Sequence, residues 1–192
     1  MVVIKQIPAG QDTTGAPGDI LLCNRKGFAS WCIRTGETIK LGRKARFSHA
    51  AIFVKPDGLV ESLTRGVAET SLSVYRGVEY VHIATGLDAH DQAQAVNFAL
   101  SCVGQKYGWL DDVGIGLRFL TPGRGLWFGM NGTQICSGLC AQAQCRGDKI
   151  FTLEPSSISP EELYNEYATF ATRVSGVTSG QLSGLDRNSQ LF

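Results

Sequence analysis

Cys136 is the residue whose type and setting most invite chemistry. A loop rich in Gly and polar residues leads into it, and Ser137 to Cys145, a run of small and apolar residues, reads as a helix. That reading puts one thiol at a helix N-terminus. Unpaired backbone N–H groups and the positive end of the helix dipole there favour thiolate over thiol. The thiolate is a nucleophile, and a nucleophile of this kind works with a neighbouring base.

Three histidines can supply that base. His90 falls in the first turn of an expected surface helix and is read as solvated. His82 lies within Tyr80-Val-His-Ile83, where a satisfied structural histidine is the default. His49 opens the apolar run His49-Ala-Ala-Ile-Phe-Val-Lys55 and follows Ser48. A side chain at a strand end can project into a cleft from a rigid support, and an imidazole titrating near neutrality suits thiol activation. A Cys–His pair usually has a third group that orients the ring. Glu61, an acid inside Leu59-Val-Glu-Ser-Leu63, needs either solvent or a partner. The alternative is a Glu on a solvent face.

The remaining reactive types are read more plainly. Cys136, Cys140 and Cys145 stand in a C-x3-C-x4-C spacing without the C-x2-C clip of most structural zinc sites. Cys140 and Cys145 are therefore expected to be buried as small apolar residues, and neither metal nor cofactor is expected. Lys40 to Arg46 is a basic run. Such runs are usually solvated, but Arg43, Lys44 and Arg46, just before His49, also offer one rim for a site that takes anionic groups.

The elements that must position these residues follow from period and punctuation. Residues 2–7 are expected as an edge strand and Asp19 to Cys23 as a buried strand. Phe28, Trp31, Cys32 and Thr35 have helical spacing. After the His49 strand, Pro56-Asp57-Gly58 marks a turn and Leu59 to Thr64 the return strand of a hairpin. Val67–Thr70 and Glu79–Thr85 read as two more strands, with a turn or one helical turn between them. From Asp88, a plausible N-cap, Ala89, Ala93, Val96, Leu100 and Val103 recur at helical period. A long Gly-rich connection follows Tyr107, with one short helix expected near Asp111 to Leu120. Ser159-Pro-Glu-Glu162 opens a last helix that runs to about Phe170. Strands first and helices later predicts α+β with an antiparallel sheet packed against the helix that carries Cys136.

At 192 residues the chain is one domain, 1–170, with a weakly ordered tail, 171–192. Hydrophobic content of 43% and charged content of 18% describe an ordinary globular protein. A net charge of +1 gives no field that calls for nucleic acid. No run approaches the ~18 apolar residues of a membrane span. The short apolar N-terminus does not read as a secretory signal, so synthesis and folding in a cytoplasm are expected, with free thiols and later export left open.

The residues from His49 to Glu61, His-Ala-Ala-Ile-Phe-Val-x-x-Asp-Gly-x-Val-Glu, resemble the His hairpin of the NlpC-type cysteine peptidase superfamily, in which a second polar residue follows the His by twelve positions. Ala95 to Tyr107, ending in Gly104-Gln-Lys-Tyr107, and Cys136-Ser-Gly-Leu139 resemble its helix, Gly-x-x-Tyr and Cys-Ser-Gly-Leu run. The His hairpin precedes the Cys here, so the chain is similar to the circularly permuted branch. That branch holds permuted bacterial peptidase-like proteins and lecithin:retinol acyltransferase-like enzymes. The resemblance spans roughly Pro17 to Tyr164. Ile135 stands where the family usually has Asp or Tyr, and the connection from Tyr107 to Cys136 is longer than in standard members.

The resemblance implies a papain-like fold with Cys136 as nucleophile, His49 as base and Glu61 as orienter. Tyr107 and Ser137 would lie near the nucleophile, and the Cys136 backbone N–H would help form the oxyanion hole. A flat hairpin over Asp57-Gly58 pairs Glu61 near Val54, roughly 15 Å from His49 at about 3.3 Å per residue. Strong coiling or a bulge is then required; otherwise a polar residue of a neighbouring strand orients His49. The expected activity is amide hydrolysis of a peptide or peptidoglycan-like substrate through an acyl-enzyme. Acyl transfer, or thioester or lipid-ester cleavage, is the runner-up, and a binding module with an idle triad is the reading of another class. Oligomeric state is not legible.

Overall fold

A computed structural model describes residues 1–11, 13–63, 65–107 and 133–171. The short helix expected near 111–120 and the tail 172–192 lie outside them. Six strands form one antiparallel sheet: β1 (Val3–Ile7), β2 (Ile20–Cys23), β3 (His49–Lys55), β4 (Gly58–Leu63), β5 (Gly66–Ser71) and β6 (Tyr80–Ala84), in the order β1-β6-β2-β3-β4-β5. Among the described residues four helices accompany it: α1 (Phe28–Leu41), α2 (Ala89–Ser101), α3 (Cys136–Arg146) and α4, which covers 160–171. The fold class is α+β, as the strand-then-helix order predicts. No helix among the described residues is long and apolar enough to cross a membrane.

Both faces of the sheet are covered, which is why β2 and β3 read as continuous apolar runs and not as alternations. Ile20, Leu22, Ala50, Ile52, Val60 and Ile83 point to the helices and pack with Ala95, Ala99, Leu139, Cys140, Leu163 and Tyr167. The opposite face presents Leu21, Cys23, Ala51, Phe53 and Leu59 to a second cluster closed by Leu72, Tyr75 and Tyr80. The turn expected between Ser71 and Arg76 is a 3-10 helix, Leu72–Tyr75, capped by the Ser71 hydroxyl. It brings Tyr75 onto this second face.

One helix boundary differs from expectation. α1 continues past Thr35 to Leu41, so Lys40 belongs to the helix and not to a loop. It stops at Gly42, whose φ of 64° is open to a residue without Cβ. The helix is prolonged by tertiary contacts: Lys40 pairs with Glu162, and the Glu37 carboxylate accepts the Glu161 N–H at 2.9 Å. α4 begins as predicted. Pro160 follows Ser159, and the Glu162 carboxylate accepts from the Ser159 N–H (3.1 Å) and hydroxyl (2.8 Å), which is the Glu half of a capping box.

The candidate active site

β3 and β4 are joined by a tight turn over Pro56 and Asp57, with Lys55 paired to Gly58. Continued without interruption, that register would set Glu61 opposite Ile52, facing the helices. The ladder shifts between Phe53 and Lys55, leaving Val54 unpaired, and from there Glu61 stands opposite Ala51. One bulged residue thus turns Glu61 to the face shared by Ala51 and His49, because side chains alternate with period two. His49 is then its diagonal neighbour, within side-chain reach. The pairing of Glu61 near Val54 does not occur.

The result is a buried ion-pair network. His49 Nε2 lies 2.5 Å from Glu61 Oε2, with His49 6% and Glu61 1% exposed. The Tyr75 hydroxyl donates to Glu61 Oε2 at 2.5 Å and the Thr70 hydroxyl to Oε1 at 2.5 Å. Arg25 Nη1 approaches Oε2 at 3.3 Å. Burial alone would raise the Glu61 carboxyl, but the hydrogen bond and charge of His49, with the Thr70 and Tyr75 hydroxyls, hold it at about 2. Glu61 is therefore an anion at neutral pH, and a carboxylate only accepts; the Nε2 atom must carry the proton it shares with Glu61. Nδ1 is left as the nitrogen able to act as a base. A Glu on a solvent face is ruled out.

Cys136 is the first residue of α3 and is 2% exposed. The cap position is Ile135, which offers the first-turn N–H groups no acceptor. α3 packs on the Ala50, Ile52 and Val60 face, opposite to the one that carries His49 and Glu61. The two faces meet at the end of the sheet, where β2 finishes with Cys23 and β3 starts with His49, its register partner. The Cys136 charge is felt at that end: the Cys23 thiol is raised to about 12 chiefly by burial, Arg25 opposing the rise and the charges of Glu61 and Cys136 adding to it. Cys140, one turn below Cys136, is raised by burial and by the same two charges.

The other expected site residues fall as follows. Ser137 is buried and its hydroxyl donates to the Ile158 carbonyl at 2.6 Å, so that side chain is engaged in holding the start of α3. Gly138 completes that contact, since a Cβ there would lie 2.7 Å from the Ile135 side chain and 2.9 Å from the Ser156 carbonyl oxygen. The Tyr107 backbone pairs with Gln134 in a short parallel ladder, β7 (Lys106–Tyr107) with β8 (Thr133–Gln134), two residues before Cys136. Arg43 and Arg46 are engaged within the fold: Arg43 Nη1 (2.9 Å), Arg46 Nη2 (3.0 Å) and the Arg46 N–H (2.8 Å) all donate to the fully buried Glu161. Lys44 is exposed. These bonds tie α4 to the segment leading into His49.

His82 is buried against Asp19 Oδ2 at 2.8 Å, and His90 is exposed, as read from the sequence. Asp19 also accepts from the Ala16 and Thr85 N–H groups, so that pair braces a loop. Among the described residues no group of His, Cys, Asp and Glu is arranged to hold a metal. Sequence reasoning missed Thr70, Tyr75 and Arg25. The one available signal was their polarity beside apolar strands. No family model matches this chain, and no curated protein matches it.

Proposed function

We propose that this protein is a cysteine hydrolase of the permuted NlpC-type, papain-like kind, cleaving amide bonds in a peptide or peptidoglycan-like substrate. The observation that carries the reading is the His49–Glu61 pair. A carboxylate with four donors, buried and held ionised, is an expensive arrangement for a merely structural histidine. It stands at the sheet end toward which a helix opens with a cysteine.

In this mechanism His49 Nδ1 takes the Cys136 proton, while Nε2–H remains bonded to Glu61. Glu61 stabilises the imidazolium and fixes the ring without itself being protonated. The sulfur attacks the carbonyl carbon, and the oxyanion is met by N–H groups at the uncapped α3 start, that of Cys136 among them. The leaving amine takes the proton from Nδ1 as the C–N bond breaks. Water, deprotonated by His49, then attacks the thioester, and the acid leaves with the thiolate restored.

A second reading has its own support. Cys136 and His49 are 2% and 6% exposed, so an acyl-enzyme formed there is shielded from water. Transfer to an amine or alcohol would then compete with hydrolysis. The experiment is to incubate the protein with a peptide amide radiolabelled in its acyl part, with and without an added amine. Label appearing as free acid supports the hydrolase, and label appearing on the amine supports transfer. No turnover by wild-type protein, or equal turnover by Cys136→Ala, refutes both.

A further inference from the structure

A whole element delivers Tyr75 to the buried pair. The 3-10 turn Leu72–Tyr75 is pinned on both sides: the Leu72 N–H donates to the Asp57 carbonyl at 2.8 Å, the Gly10 N–H to the Arg76 carbonyl at 2.7 Å and the Val78 N–H to the Tyr75 carbonyl at 2.9 Å. Tyr75 is buried among Leu21, Cys23, Ala51 and Leu72, a setting that a phenylalanine would fill equally well. What the tyrosine adds is one O–H, and that bond is aimed at Glu61.

The donors on Glu61 are unevenly shared. Oε1 accepts from the Thr70 hydroxyl, whereas Oε2 accepts from Tyr75 and from His49 Nε2, each at 2.5 Å, with Arg25 Nη1 at 3.3 Å. A carboxylate oxygen offers about two lone-pair sites, and each donor that takes one weakens the hold on the next. The Tyr75 hydroxyl therefore competes with His49 for the oxygen that stabilises the imidazolium. The positive end of its O–H dipole also lies on the ring's side, the two rings being 6.5 Å apart and within 12° of parallel. Burial and the Glu61 charge push the Tyr75 phenol far above its ordinary range, so it is a donor at every working pH. The other groups around His49 are the Arg25 guanidinium, the Cys23 thiol across the strand pair and the Cys136 thiol that it is read to serve.

Resting on the hydrolase reading, we propose that Tyr75 is a positioning residue for the second half of the reaction: its hydroxyl limits how tightly Glu61 holds the imidazolium. His49, once its Nδ1 proton has gone to the leaving amine, then stays neutral and can take a proton from the water that attacks the thioester. In that step the C–O bond forms, the C–S bond breaks, and the proton left on Nδ1 restores the thiolate–imidazolium pair. The first half makes the opposite demand, since an imidazolium favours the Cys136 thiolate. Loss of the hydroxyl keeps the first half and impairs the second near neutral pH.

The test reads the two halves separately. In Cys136→Ala protein the His49 imidazole is titrated by NMR, its signal identified by its loss when His49→Ala is added. Adding Tyr75→Phe instead is expected to move the midpoint to higher pH by about half a pH unit, a fraction of one hydrogen bond to a charged group. Damage that merely lets water into the site would loosen the Glu61 contact and move the midpoint down. A ring-fluorinated tyrosine placed at position 75, a stronger donor of nearly the same shape, is expected to lower the midpoint, and it keeps the test standing should Tyr75→Phe not fold. In protein with its native Cys136, acetylated there by p-nitrophenyl acetate, loss of the acetyl group is followed against pH by mass spectrometry. Its rise with pH is expected to move upward by the same amount in Tyr75→Phe, while alkylation of Cys136 by iodoacetamide below neutral pH is no slower than in wild type. A midpoint unchanged or lowered in Tyr75→Phe, or unmoved by fluorination, overturns the role of Tyr75 and leaves the hydrolase reading standing. An acetyl group lost no faster from wild type than from His49→Ala overturns both.

Discussion

The Glu61 carboxylate meets His49 Nε2 at 2.5 Å across two strands whose ladder is displaced by one residue at Val54. Glu61→Gln keeps the shape and removes the charge that holds the Nε2 proton in place. Loss of the correct tautomer is expected to slow Cys136 alkylation and any turnover by roughly 10²–10⁴-fold. Glu61→Ala leaves the His49, Tyr75 and Thr70 donors without an acceptor and is expected to cost about 3–5 kcal/mol, read from urea midpoints. Equal alkylation rates in wild type and Glu61→Gln would separate Glu61 from the chemistry.

Two buried carboxylates give stability opposite slopes with pH. Glu61 is held at about 2, below its unfolded value, so its contribution is complete above about pH 4.5 and is lost as pH falls toward 2. Burial, together with the charges of Glu161 and Glu162, lifts Glu37 to about 7, although its bonds to Ser159 and the Glu161 N–H pull the other way. Its contribution is therefore complete below about pH 4.5 and is lost as pH rises through 7. Each amounts to roughly 3 kcal/mol at most. Urea unfolding from pH 2 to 8 should lose its acid limb in Glu61→Gln and its neutral limb in Glu37→Gln. Parallel curves for wild type and Glu37→Gln would contradict the assignment.

Ser137 and Gly138 are expected to act on stability. Ser137→Ala removes the bond to the Ile158 carbonyl and leaves that acceptor buried, at about 1–2 kcal/mol. The alkylation rate of Cys136 should move less than twofold. A large fall in rate without a fall in stability would return Ser137 to the catalytic group.

Much of this site was legible because it rests on local signals. An apolar run opening with His49, an acid twelve residues on, and a cysteine where a Gly-rich loop becomes a helix are all patterns of neighbours. The register was not. A turn centred on Pro56 and Asp57 and an extra Val54 are settled by what both sheet faces must bury, and a hairpin read alone does not contain that information. Tyr75 and Thr70 were invisible for a similar reason, since their partner is the misplaced Glu61. The apolar helical spacing of Phe28, Trp31, Cys32 and Thr35 ends at Thr35, so the sequence carries no local sign of the last turns of α1. Contacts of Glu37 and Lys40 with residues more than a hundred positions away carry it to Leu41. Arg43 and Arg46 of the basic run turn to Glu161 on the same ground.

That reassignment is testable. Arg43→Ala is expected to cost less than about 1 kcal/mol, since its guanidinium is half-exposed. Glu161→Ala, which leaves the Arg46 N–H and two guanidiniums without their acceptor, should cost roughly 2–3 kcal/mol. Neither should alter the ratio of Cys136 alkylation rates by iodoacetate, an anion, and iodoacetamide, its neutral analogue. A ratio that falls in Arg43→Ala would restore the rim.

The most direct measurement is the pH dependence of Cys136 alkylation by iodoacetamide, followed peptide by peptide in wild type and His49→Ala. Cys23, Cys102, Cys140 and Cys145 are all raised by burial and should stay unlabelled at neutral pH, leaving half-exposed Cys32 as the internal comparison. Wild-type Cys136 is expected to react below the pH at which a thiol of pKa about 8.5 ionises, and His49→Ala to abolish this advantage. A Cys136 profile that follows Cys32 in both proteins would contradict it.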